Sequence, residues 1–125
     1  MSSEAVGSKQ VILQLLAIHQ GRNGRRPNPF DIWKRIGVYV KNGGAYHFYP
    51  LCDYDPVAPP GEFATDLVEL VEEGLIRPVN GGFVEVTPLG RCVASARSLP
   101  ASLHDLEQEI GGPEPRAADR PVLSP

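Results

Sequence analysis

Three histidines, two cysteines and two neighbouring aspartates are the side chains here that most often carry out chemistry in proteins. They are His19, His47, His104, Cys52, Cys92, Asp53 and Asp55. The histidines are scattered, and no serine, histidine and aspartate follow the pattern of a hydrolase triad. His47, Cys52, Asp53 and Asp55 come nearest to a metal site, but their spacing matches no familiar set of ligands. Cys92 lies among small apolar residues, where a buried thiol is expected. We therefore expect no catalytic residue, metal or cofactor.

Length and composition predict one small domain. With 125 residues, 42% of them hydrophobic, the chain has enough apolar side chains for one core. No apolar run approaches the roughly 20 residues of a membrane-spanning helix, and residues 1–10 show no signal-peptide pattern. Two cysteines make no disulfide framework, which favours the reducing cytoplasm. The net charge of −3 argues mildly against a dedicated nucleic-acid binder.

Residues 63–96 predict a helix, a tight hairpin and a second helix, the order typical of the end of a winged-helix domain. Apolar side chains recur at helical spacing in the first of these helices, and Gly74 suits the left-handed residue that ends it. Asn80-Gly81 is a strong short-range signal for a hairpin turn. Thr87 offers a hydroxyl to cap the next helix, and Pro88 suits its first turn.

The predicted fold class is therefore α+β, a winged helix-turn-helix-like domain with three to four helices and one short β-hairpin as its wing. Helices are expected over 8–21, 29–41, 62–74 and 88–99, and the hairpin over 75–87. Ser8 and Asn28 are the predicted caps of the first two helices. Residues 1–7 are predicted to be a flexible leader, 8–99 the domain, and 100–125 a mostly disordered tail with a short helix over 102–110. The predicted core is Leu15, Leu16, Ile18, Trp33, Ile36, Phe63, Leu67, Leu70, Leu75, Phe83 and Val86, with Phe30 and Val40 on the inner stripe of the second helix.

The helix before the hairpin carries five carboxylates and no lysine or arginine. In most winged helices this helix enters the major groove of DNA, but here it would repel phosphates. Its acidic residues are Glu62, Asp66, Glu69, Glu72 and Glu73. One interpretation is an ordinary solvated face, and the other is a face that docks on a basic protein partner.

The basic residues lie mainly in the first loop and on the second helix. They are Arg22, Arg25, Arg26, Lys34, Arg35 and Lys41, and Arg77 stands at the base of the wing. Lys34 and Lys41 are seven residues apart and share a helix face. This set is either an ordinary surface or a patch that contacts phosphates.

Aromatic residues are concentrated between positions 46 and 54. Tyr46, His47, Phe48, Tyr49 and Tyr54 lie there, and Trp33 is their expected neighbour. One interpretation places these rings in the core under a long proline-rich loop. The alternative is an exposed Tyr/His edge that binds a partner, because such rings bury much area at low entropic cost.

The order of motifs from Ile32 to Arg91 resembles small bacterial winged-helix proteins related to the Panacea-type antitoxins. The matching residues are Ile32 and Lys34, Tyr46 and Phe48, Tyr54-Asp55-Pro56, Asp66-Leu67, Leu70 and Gly74-Leu75-Ile76. The motif at 54–56 has Asp55 where that family usually has glycine, and the resemblance covers about half of the chain. It implies a non-enzymatic protein that binds another protein, often a toxin or a regulatory partner.

Two functional hypotheses follow. The first is a non-enzymatic module that engages a protein partner through the acidic helix and through Tyr46, His47, Tyr49 and Tyr54. The alternative is a DNA-binding transcriptional regulator that uses the basic loop, the second helix and the wing. A homodimer is a further expectation, since winged helices often pair through terminal helices.

Overall fold

Five α-helices and one antiparallel hairpin make up the part of the chain that the structure, a computed structural model, describes: residues 7–44, 46, 48–49 and 52–109. The helices are α1 (Ser8–Asn23), α2 (Pro29–Lys41), α3 (Gly61–Glu72), α4 (Pro88–Ser95) and α5 (His104–Glu109). The strands are β1 (Ile76–Pro78) and β2 (Val84–Val86). The predicted α+β class is confirmed. The predictions of a flexible leader over 1–7 and a disordered end fall mainly on residues outside this part.

Local capping signals fix several helix ends. The Asn28 side chain accepts a hydrogen bond from the backbone of Phe30, and the Thr87 hydroxyl accepts one from Gly90, as predicted. Gly74, just after α3, is left-handed with φ of 78°, which also confirms the prediction. The predicted cap at Ser8 is wrong. Gly7 is the N-cap of α1, because the Ser8 hydroxyl bonds instead to Asp66 on α3.

The hairpin pairs Ile76 with Val86 and Pro78 with Val84. Its loop is Asn80–Gly82, where Gly81 and Gly82 take positive φ angles of 83° and 81°. The hairpin was predicted correctly, and its two glycines supply the left-handed angles that the turn requires. With only two strands in the sheet, Pro78 removes no hydrogen bond from a central ladder.

Helix α1 lies at the centre of the domain. Residues 11–13, 15 and 16 are fully buried, so the helix is apolar around most of its circumference, as predicted. It packs against α3, α4 and β2. The Gln20 side chain on α1 both donates to and accepts from the backbone of Val86, at 3.2 and 2.8 Å. This pair of bonds holds the hairpin against α1.

Three side chains that were predicted to be buried are exposed. Phe30 is 54% exposed and Phe83 is 41% exposed, while Cys92 faces solvent with a free thiol. Phe30 is the second residue of α2, ahead of the buried stripe that contains Ile32, Trp33 and Ile36. Phe83 follows the hairpin loop, outside the paired strands. Each obeys the spacing of its element but lies where no neighbouring element covers it.

The segment after α4 joins the core. Helix α4 ends at Ser95, four residues before the predicted end. A single 3-10 turn, Ala101–Leu103, then leads into α5, where the sequence predicted a short helix over 102–110. Leu103 and Leu106 are 0% and 1% exposed. The Tyr39 hydroxyl on α2 donates to the Ser102 carbonyl at 2.9 Å. Residues 101–106 therefore pack with the domain.

Candidate partner-binding surfaces

The aromatic cluster is part of the core. Tyr49 and Tyr54 are 5% and 7% exposed, and Tyr54 stacks on Trp33 with ring centroids 5.4 Å apart. The Trp33 indole donates to the carbonyl of Asp55 at 2.7 Å, so the motif at 54–56 forms a turn around this ring. Packing on Trp33 buries both rings, which agrees with the core interpretation and leaves little of either side chain accessible to a partner. Tyr46 is half-buried, and His47 lies outside the described residues.

Asp66 is held from two sides. Its carboxylate accepts from the Ser8 hydroxyl at 2.8 Å and from the Tyr49 hydroxyl at 2.6 Å. Burial raises the pKa of Tyr49 most, and the hydrogen bond to Asp66 raises it further. Burial, together with the charge of Asp66, raises the pKa of Tyr46 to about 12. This carboxylate ties α3 to α1 and to the aromatic cluster, which removes it from the predicted docking face.

A cleft of about 430 Å³ opens beside the cluster. Its lining includes Tyr46, Tyr49, Cys52 and Tyr54. The Tyr54 hydroxyl contacts the Tyr49 backbone, and the Tyr49 hydroxyl bonds to Asp66. These two polar groups are occupied within the protein, so the cleft gains no ligand-binding role from them.

The remaining acidic residues of α3 and its C-terminal turn are exposed. Glu69 and Glu73 both accept from Lys9 of α1, at 3.2 and 2.6 Å. These bonds raise the pKa of Lys9, and the bond to Glu73 contributes most. About half of each glutamate side chain stays accessible, with an exposed fraction of 47%. Glu62 and Glu72 are exposed as well.

The outward face of α3 combines these charges with apolar side chains. Phe63 and Leu70 point into the core, so helical geometry places Thr65, Val68 and Glu72 on the opposite side. Val68 is 54% exposed and Val71, one turn further along, is 38% exposed. We call Glu62, Thr65, Val68, Glu69 and Glu72 the α3 face. It presents three carboxylates beside one exposed apolar side chain, Val68, which suits a protein surface better than a phosphate backbone.

The predicted phosphate-contacting set is divided by the fold. Arg35 is buried and forms an ion pair with Asp31, at 3.0 Å, so its place in that set is wrong. Arg22 is exposed, but its guanidinium donates to the Glu107 carbonyl at 2.6 Å and pairs with the Glu107 carboxylate. The other predicted members are exposed: Arg25, Arg26, Lys34, Lys41 and Arg77.

The fold also creates a basic surface that sequence order does not reveal. The Val84 amide donates to the Pro27 carbonyl at 2.9 Å, which places the loop after α1 beside the hairpin. Arg77 pairs with Glu85 across the hairpin. The bond to Arg77, with smaller effects of the Arg26 and Arg91 charges, lowers the pKa of Glu85. Arg77 is thus the contact partner of Glu85, and the positive charges of Arg26 and Arg91, from outside the hairpin, also act on this carboxylate.

Comparisons with protein-family models, curated protein sequences and solved structures found no match, so the resemblance to Panacea-type antitoxins stays a prediction. Within the described residues, no three histidine, cysteine, aspartate or glutamate side chains are grouped to hold a metal ion. None of the helices in the described ranges is long and apolar enough to cross a membrane. The α3 face and the basic residues near the hairpin are therefore the features on which a functional proposal can rest.

Proposed function

We propose that this protein is a non-enzymatic, cytoplasmic winged-helix module that binds a protein partner through the α3 face. The order α1, α2, α3 and hairpin supports the winged-helix interpretation. In that architecture α3 is the helix that relatives present to their ligands. The antitoxin-like resemblance agrees with this role.

The composition of the α3 face carries the proposal. Val68 is 54% exposed and lies among glutamates, on a helix without a basic residue. Exposed apolar area that adjoins charged side chains is typical of protein interfaces, where the centre is desolvated and the polar rim sets orientation. The same carboxylates would be repelled by a polyanion. We therefore infer that the partner is basic around an apolar contact.

Site-specific photo-crosslinking tests this proposal. A photoreactive amino acid at Val68 should crosslink one protein partner in a lysate of the source organism, which is then identified and purified. The same label at Ser98, exposed beyond α4, is the matched control. Adding Glu72→Lys should abolish crosslinking from position 68. Equal products from positions 68 and 98, or a product that survives Glu72→Lys, would contradict the proposal.

A DNA-binding regulator is the second candidate, and the basic residues around the wing favour it. Arg77 pairs with Glu85, and the charges of Arg26 and Arg91 also act on this carboxylate, whereas Arg35 is buried on α2. A mobility shift with duplex DNA at two salt concentrations tests this candidate. Tight binding that weakens steeply with salt would support it, because each phosphate contact releases counterions.

A further inference from the structure

Two exposed phenylalanines adjoin the basic surface around the wing. Phe83 precedes Val84, whose amide bonds to Pro27, and Phe30 follows Pro27 by three residues. Both rings are more exposed than is usual, at 41% and 54%. The hydrogen bond between the hairpin and the loop thus brings Phe83 beside the loop that leads into Phe30 at the start of α2.

Arginines from three elements share this region. Arg26 precedes Pro27 in the loop, Arg77 lies on β1, and Arg91 on α4 reaches the Val86 carbonyl at 3.5 Å. Arg77 lies directly opposite Glu85 in the hairpin register. All three arginines are exposed. The local charge is positive, although the whole chain carries a net charge of −3.

We propose that the wing and the loop after α1 form a binding site for single-stranded nucleic acid. The arginines contact the phosphates, and the rings of Phe83 and Phe30 stack on unpaired bases. Single strands are bound elsewhere by this combination of a positive surface with aromatic platforms. A duplex offers phosphates too, but its bases are already stacked inside and cannot lie on these rings. This site is separate from the α3 face and goes beyond the proposed function.

The test measures fluorescence anisotropy of the full chain with a labelled single-stranded DNA of mixed sequence, at two salt concentrations. Phe83→Ala should weaken binding about five-fold or more, since stacking contributes about 1–3 kcal/mol per base. Arg26→Ala should weaken binding and reduce the salt dependence by about 0.7 in the logarithmic slope. Arg97→Ala removes an exposed arginine elsewhere and should leave binding unchanged.

Three outcomes would overturn the inference. The first is that the chain does not bind the single-stranded DNA even at low salt. The second is that it binds the matched duplex with equal affinity and that Phe83→Ala has no effect. The third is that an acidic peptide, which has no bases, displaces the strand. Because Phe83 is 41% exposed, Phe83→Ala should fold, and circular dichroism checks this. Phe83→Tyr keeps an aromatic ring and should retain binding. Glu72→Lys, which disables the α3 face, should not weaken it, so this inference and the proposed function fail independently.

Discussion

The starts of α2 and α4 each depend on one side chain: Asn28 accepts from the Phe30 amide, and Thr87 accepts from the Gly90 amide. The caps at Asn28 and Thr87 were predicted because each depends on a hydroxyl or amide only two or three residues from its partner. The burial of Tyr49 was one of two interpretations of the aromatic segment, whereas the burial of Arg35 was not predicted, because it depends on elements that are distant along the chain. The ion pair of Arg35 with Asp31 has helical spacing and was available as a signal in the sequence.

Gly90 lies so close to the Leu75 backbone that adding a single carbon atom tests the packing of α4. A Cβ at this position would lie 2.0 Å from the Leu75 carbonyl oxygen, which is backbone and cannot rotate away. We expect Gly90→Ala to destabilise the fold by at least about 1–3 kcal/mol through overpacking. Gly61→Ala is the control, because a Cβ there meets nothing within 4 Å. Urea unfolding measures both, and equal midpoints for the two variants would disprove the close approach.

The buried tyrosines predict a loss of stability in alkali. Burial raises the pKa of Tyr46, Tyr49 and Tyr54 above the usual value of 10.0, so the folded chain holds these protons more tightly than the unfolded chain. Their contribution is complete below about pH 10 and is lost as the pH rises through the folded values, about 12 for Tyr46. Above pH 10 the free energy of unfolding should therefore fall less steeply with pH in Tyr49→Phe, by up to about 1.4 kcal/mol per pH unit.

Urea unfolding over a series of pH values measures this slope. The free energy of unfolding of the wild-type chain should fall more steeply above pH 10 than that of Tyr49→Phe. At neutral pH the variant should lose about 1 kcal/mol with the hydrogen bond to Asp66. Parallel curves for the two proteins would show that Tyr49 ionises as freely in the fold as in the unfolded chain.

At the scale of elements, α1 sets both candidate surfaces. Its first turn supplies Lys9 to the glutamates of α3, and its last turns supply Gln20 to the wing. The sequence predicted each element from its period and its turn residues. It did not predict that the loop after α1 lies against the wing, because this contact is one backbone hydrogen bond, between Val84 and Pro27. Arg26 and Arg77 were in the predicted phosphate-contacting set, but the contact that joins the loop to the hairpin was missed.

Lys9 is predicted to lower the affinity of the α3 face for its partner. Its ammonium group neutralises part of the charge of Glu69 and Glu73, so Lys9→Ala should tighten binding of the basic partner about two- to five-fold. The cost in stability should stay below about 1 kcal/mol, because these ion pairs are exposed. Titration calorimetry with the purified partner measures the affinity. Lys34→Ala, exposed on α2, is the control, and weaker binding by Lys9→Ala would contradict the role of the α3 face.

At the scale of the whole molecule, the folded unit extends to α5. The sequence placed the end of the domain at residue 99 because the composition changes there, but composition does not report Leu103 and Leu106 filling the core. Leu103→Ala and Leu106→Ala should each cost about 2–5 kcal/mol. Leu89→Ala, at a position 54% exposed, should change stability by only about 0.5 kcal/mol. Thermal unfolding compares the three variants. Equal melting temperatures would show that Leu103 and Leu106 do not contribute to the packing of the core.

The central claim is that the α3 face contacts a protein, and nuclear magnetic resonance tests it most directly. Backbone amide shifts are recorded while the crosslinked partner, once purified, is added to the labelled full chain, and again while duplex DNA is added. We expect the partner to shift the amides of Thr65, Val68 and Glu72, and DNA to leave these amides unshifted. Shifts of these three amides on adding the duplex, with none on adding the partner, would contradict it.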